Sequence, residues 1–185
     1  AVGLDEEDDM FAPVVKSATR RALWLGVNLG TAFLAAAVVE QLQTTLDAIV
    51  LLAVLMPIVP SMGGVAGTQS LVIITRAIAL GQINGANAAG ILMKEVLVGV
   101  LNGIGCAIIV SMCAYLWFGD WRIGAIIGAA MIINLVIAAG AGFFIPVTLK
   151  KLKVDPALAG GVVLTTVTDV VGYVAFLGLG AIFLI

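Results

Sequence analysis

The sequence predicts an all-α membrane protein with five transmembrane helices per subunit, and three observations carry that prediction. Of 185 residues, 62% are hydrophobic and 11% charged, and the mean hydropathy is +1.21; a soluble domain carries about 25% charged residues. Five apolar stretches each reach the ~20 residues that a helix needs to cross a hydrocarbon core of ~30 Å. The apolar runs are continuous and lack the period-two alternation of barrel strands.

Residues 1–17 read as a polar, cytosolic lead-in, with an acidic cluster at Asp5, Glu6, Glu7, Asp8 and Asp9 followed by Pro13 and Lys16. A solvated tail is the default for such a cluster, and a divalent-ion sensor the alternative. No basic segment precedes a short apolar run, so no signal peptide is predicted, and the absence of an initial methionine is compatible with a fragment. Residues 18–185 form the predicted five-helix domain. The first span covers about residues 19–42 and opens on Arg20 and Arg21. The second covers about 46–80, too long for one straight crossing, and Pro57, Pro60, Gly63 and Gly64 interrupt it. A turn-rich loop at 81–87 leads to the third span, about 88–118. Gly119, Asp120 and Trp121 turn the chain into the fourth, about 122–149, which stops at Lys150, Lys151 and Lys153. Asp155 then caps a fifth helix that starts on Pro156. The pairs Gly26/Gly30, Gly99/Gly103 and Gly124/Gly128 read as helix-packing faces, and Asn28, Asn102 and Asn134 as interhelical hydrogen-bonding residues.

Basic residues set the orientation, because cytoplasmic loops carry the excess of Lys and Arg. With the N-terminus inside, eight of the nine basic residues fall on the cytoplasmic side and only Arg122 falls outside. The C-terminus is then external, with Glu40 and Asp47 at the outer mouth and Trp117, Phe118 and Trp121 in an outer interfacial belt.

Asp169 is the leading candidate site residue. It stands thirteen positions after Pro156, roughly 20 Å along the helix, where an ionised carboxylate needs a partner, water or a cation. No basic residue lies at comparable depth. Thr165 stands one turn before it and Gly161 one turn further back, flanked by Thr166 and Thr168. Such a strip suits a hydrated pore wall; the alternative is a protonated aspartic acid bonded to a neighbouring helix. The stretch PIVPSMGGVAGTQ, residues 57–69, comes second. Either its backbone is broken, with carbonyls freed toward a cation beside Ser61, Gly63, Gly64, Thr68 and Gln69, or its glycines make a bend for close packing. Glu95 is a vestibule candidate, with a solvated helix end as the favoured reading. The chain has no histidine, and Cys106 and Cys113, roughly 10 Å apart along one helix, read as small packing residues. Any metal site is therefore built from oxygen, which suits hard divalent cations. No nucleophile–base pair points to an enzyme.

Two runs carry a resemblance. MPIVPSMGGVAGTQSLVIITRAIALG, residues 56–81, with Lys94-Glu95 after it, resembles the second and third helices of MgtE magnesium channels. VDPALAGGVVLTTVTDVVGY, residues 154–173, resembles their fifth helix. The resemblance covers about residue 13 to the end and implies an MgtE-type transmembrane domain: a homodimer around one central pore, lined largely by the second and fifth helices. It implies that Asp169 faces its twin across the dimer axis at a site for hydrated Mg2+, with Mn2+, Co2+ or Ni2+ as further candidates. Full-length bacterial members carry cytosolic regulatory domains, an N-terminal domain and paired CBS domains, which this chain lacks; its acidic start resembles the end of their connecting helix. Two departures stand out: Val65 occupies the place of a usual asparagine, and Val171 that of a frequent threonine.

The function so implied is divalent cation conduction across the cell membrane of a prokaryote, with a second copy and membrane lipid, not nucleic acid, as partners. A secondary transporter exchanging the cation for sodium or protons is the alternative, and a non-transporting membrane anchor the third reading. The topology is directly testable. In an Ile185→Cys variant the C-terminal thiol is expected to react with an impermeant reagent outside intact cells; labelling only after lysis would contradict five spans.

Overall fold

The computed structural model describes residues 13–48 and 50–184. The acidic cluster at residues 5–9, Ile185, and the side chains of Lys16, Arg20, Arg21 and Asp47 lie outside the described residues. Within hydrocarbon no water competes for backbone N–H and C=O groups, so each crossing segment must satisfy them internally. The described residues accordingly form helices and no strand: α1 (Val14–Gln41), α2 (Gln43–Ala48), α3 (Val50–Leu55), α4 (Ile58–Ala79), α5 (Ala88–Phe118), α6 (Trp121–Lys151) and α7 (Pro156–Leu184). Five segments are long and apolar enough to span a membrane, Ser17–Gln41, Val50–Ala79, Ala88–Phe118, Trp121–Lys151 and Pro156–Leu184. The chain is a multi-pass membrane protein of the predicted class.

Turn chemistry explains the boundaries. Gly119, at φ 73°, ends α5 in the left-handed region that glycine adopts without strain. Asp120 then accepts a hydrogen bond from the Arg122 amide at 2.8 Å and caps α6. Asp155 accepts one from the Ala157 amide at 2.8 Å at the head of α7, with Pro156 in the first helical position.

The second crossing departs from the broken-backbone reading. Its interruption is confined to Met56 and Pro57, and the chain is helical from Ile58 to Ala79. Pro57 and Pro60 fall at the cap and in the first turn of α4, where a missing N–H costs nothing. The glycines that follow are helical, so the carbonyls from Ser61 to Gln69 belong to a helix and are not freed.

Helix α6 is the centre of the bundle, with 61% of its most apolar 18-residue stretch buried against 6% for that of α1. It packs against α4, α5 and α7, while α4 also packs on α7 and α1 on α7. Lipid tails are as apolar as leucine, so these contacts depend on close backbone approach. The faces at Gly99/Gly103 and Gly124/Gly128 join α5 to α6: a Cβ built at Gly99 would lie 3.0 Å from the Leu135 carbonyl oxygen, and one at Gly124 2.7 Å from that of Ser111. Gly26 and Gly30 meet nothing within 4 Å inside the chain. On the α4 side, a Cβ at Gly142 would lie 2.6 Å from Ser70 Cβ and 2.8 Å from the Gly67 carbonyl oxygen. Gly142→Ala is thus expected to destabilise the protein by roughly 1–3 kcal/mol, seen as a lowered melting temperature in detergent. Gly140→Ala, where a Cβ meets nothing within 4 Å, is the control, and equal melting of the two variants would refute the close-contact account.

Candidate functional site

Helices α4 and α7 run antiparallel in a register read from their close contacts. A Cβ built at Gly172 would lie 2.8 Å from Pro60 Cγ, one at Gly64 3.8 Å from Thr168 Oγ1, one at Gly67 2.8 Å from Leu164 Cδ1, and one at Gly160 2.9 Å from Leu71 Cδ1. Asp169 therefore lies level with Gly63, in the second turn of α4 and close above its break.

Beside this contact the two helices present a largely exposed face. From α4 it displays Ser61, Val65, Thr68 and Gln69, all exposed. From α7 it displays exposed Gly161 and Thr165 and half-buried Asp169 and Tyr173, each one turn beyond the last. Among the described residues, no hydrogen-bond donor and no basic group reaches the Asp169 carboxylate. The hydroxyls of Thr68 and Thr165 donate to their own helix, to the Gly64 carbonyl at 2.7 Å and the Gly161 carbonyl at 2.8 Å. Their protons are committed, so their oxygens can offer only lone pairs to anything beyond. The strip is one of acceptors around one carboxylate, chemistry that fits the water shell of a cation. No group of three or more acidic, histidine or cysteine side chains that could hold a metal ion occurs among the described residues. One copy alone thus lacks, among those residues, the ligands for a dehydrated ion.

Three candidates turn away from this face. Gly63 is buried against the Asn134 side chain, and Gly64 is half-buried at the α4–α7 contact. Thr168 is 0% exposed, and its hydroxyl donates to the carbonyls of Leu164 and Thr165, both at 3.1 Å. These three build the wall from behind, because inward positions on a packed helix alternate with the outward ones at a spacing that short motifs do not reveal.

Glu95 also departs from its reading as a solvated helix end. It is 6% exposed, and its carboxylate accepts a hydrogen bond from Ser70 Oγ at 2.7 Å. The physical reason is the α4–α6 approach at Gly142, which leaves Ser70 facing α5 rather than solvent. Asn134 is interhelical as expected: its amide donates to the Val59 carbonyl at 2.7 Å. Asn102 is exposed, with no side-chain hydrogen bond among the described residues. Two residues of the face were missed in the sequence: Tyr173, whose signal is its four-residue spacing from Asp169, and Val65, noted only as a departure.

The comparisons with known proteins give the family. A family model described as divalent cation transporter, MgtE, matches residues 56–179. The chain belongs to the MgtE family. Its members are transporters, not enzymes. The matched region includes α4, α5, α6 and the whole polar stretch of α7, so both sides of the open face lie inside it. Magnesium transporter MgtE of Bacillus subtilis is 28% identical over 190 residues, covering 97% of this chain and 42% of the relative. Its namesake in Enterococcus faecalis is 28% identical over 182 residues, covering 98% and 40%. That of Thermus thermophilus is 27% identical over 164 residues, covering 89% and 36%. The chain spans about two fifths of the length of these MgtE relatives.

Proposed function

We propose that the chain is the pore-forming part of a magnesium transporter, and that two copies conduct hydrated Mg2+ between their α4–α7 faces. The observation that carries the reading is the polar face itself: a carboxylate without a partner among the described residues, beside aligned and exposed hydroxyl acceptors. A charged group facing lipid at that depth costs several kcal/mol, so the face requires water, and a second copy across a two-fold axis supplies it with an enclosed path. The curated MgtE relatives are named magnesium transporters, which supports the choice of cargo.

Magnesium releases its water reluctantly. A path for the hydrated ion therefore needs acceptors for bound water rather than a cage of direct ligands. Two copies of Asp169 set two negative charges against the ion's two positive ones, while Thr165 and Thr68 accept from its shell. Monovalent ions gain less from the same pair. Mn2+, Co2+ and Ni2+ share the charge and the preference for oxygen and water, and are proposed as further cargo. In the cell the proposed setting is the membrane of a prokaryote, with residues 1–17 in the cytosol, the C-terminus outside, and regulatory domains of the longer relatives on the cytosolic side.

Asp169→Asn tests the reading. The change is nearly isosteric and removes one charge per subunit. Magnesium half-saturation in liposome flux is expected to rise at least about tenfold, which is about 1.4 kcal/mol of ion binding, with monovalent leak increasing. Wild-type transport at normal expression would mean that Asp169 is a neutral structural group. Flux that depends strictly on a counter-ion gradient would instead mark an exchanger.

A further inference from the structure

Asn134 lies behind the open face, on α6, and takes no part in it. Its side chain is 0% exposed, and Nδ2 donates to the Val59 carbonyl at 2.7 Å, next to the α3–α4 break. Two glycines make its room. A Cβ at Gly63 would overlap the amide, and one at Gly172 would lie 3.1 Å from Nδ2 and 2.8 Å from Pro60 Cγ. Gly63 is the α4 residue level with Asp169, and Gly172 stands three positions beyond Asp169 on α7. The amide is thus the point at which α4, α6 and α7 meet, at the level of the carboxylate. Its other atom is unusual: Asn134 Oδ1 is buried with no hydrogen-bond partner among the described residues.

An orphaned buried acceptor opposes folding, and leucine, with the same number of side-chain heavy atoms, removes it. The Val59 carbonyl that loses the amide donor keeps the i+4 donor of its own helix, so packing gives only a weak reason for asparagine over leucine at this position. What the amide adds is direction: its single bond fixes the first turn of α4 relative to α6, and its bulk sets how closely Gly172, and with it Asp169, approaches α4. A site works only while its groups are held within about 0.5 Å of the productive geometry.

We infer that Asn134 is a positioning residue for the cation path, holding Asp169 in register with α4. The inference rests on the proposed conduction between the α4–α7 faces. In that role its loss acts on ion affinity through Asp169 and not on the stability of the fold. Supporting residues behind a metal site typically govern affinity by about 10–100-fold, and Asn134 belongs in that range.

The test compares Asn134→Leu, Asp169→Asn and the double variant in the purified full chain, measuring magnesium flux into liposomes, assembly and thermal melting. Asn134→Leu is expected to melt at or above the wild-type temperature, assemble normally, and raise magnesium half-saturation at least about tenfold. Added to Asp169→Asn it is expected to cause little further loss, because the positioned group is already gone. Wild-type half-saturation in Asn134→Leu would overturn the inference, as would fully additive losses. Asn134→Ala, which cannot overlap its neighbours, serves if leucine does not fit. Should both variants lose melting temperature and flux together, Asn134 is structural and the inference fails. If Asp169→Asn alone transports like wild type, it is the conduction reading that fails.

Discussion

Within a bilayer the helices gain nothing from hiding leucine from lipid, so the bundle depends on how closely backbones can approach. Close approaches join α5 to α6 at Gly99, Gly124 and Gly128, and others lie where α4, α6 and α7 converge, at Gly63, Gly67, Gly142, Gly160 and Gly172. Those contacts fix the antiparallel register of α4 and α7. They also consume one side of each helix, which decides what the other side displays. Thr168 and Leu164 are drawn inward, each 0% exposed, and Thr165 and Asp169 are left on the open side. The polar strip is therefore a consequence of glycine packing as much as of the polar residues themselves.

The carboxylate gives that strip its chemistry. An aspartate at the centre of a helix carries an insertion cost of about 2.5–3.5 kcal/mol, and no basic residue among the described ones offsets it at Asp169. The neighbouring hydroxyls cannot donate to it, because their protons go to carbonyls one turn back. On the proposed reading, the ionised carboxylate is offset by a hydrated cation, and by a divalent one most of all. The membrane potential adds about 2.3 kcal/mol per charge per 100 mV toward a negative interior, so passive entry needs no nucleotide site. The same face, once paired with a second copy, removes both the exposed charge and the exposed hydroxyls from lipid.

The five spans were legible because apolar length and the turns at Gly119–Asp120 and Asp155–Pro156 are local signals. Asp169 was legible for the opposite reason, as a charge where composition forbids one. The state of residues 57–69 was not. Proline and glycine break helices in water, but here Pro57 and Pro60 fall at a helix start, and the glycines are kept helical by neighbours that fill their missing side chains. Glu95 was misread because its position near a helix end says nothing of Ser70, 25 residues away in sequence. The sidedness of Gly63 and Thr168 was hidden because it depends on which neighbouring helix each faces, a tertiary fact.

In the proposed assembly two α4–α7 faces enclose a divalent cation between paired Asp169 carboxylates. Anomalous scattering from manganese soaked into crystals of the assembled protein measures this directly, since Mn2+ shares the oxygen preference of Mg2+. An anomalous peak is expected on a molecular two-fold axis, flanked by the Asp169 side chains of both copies. Carboxylates pointing into separate lipid-facing surfaces, with manganese bound elsewhere, would contradict it.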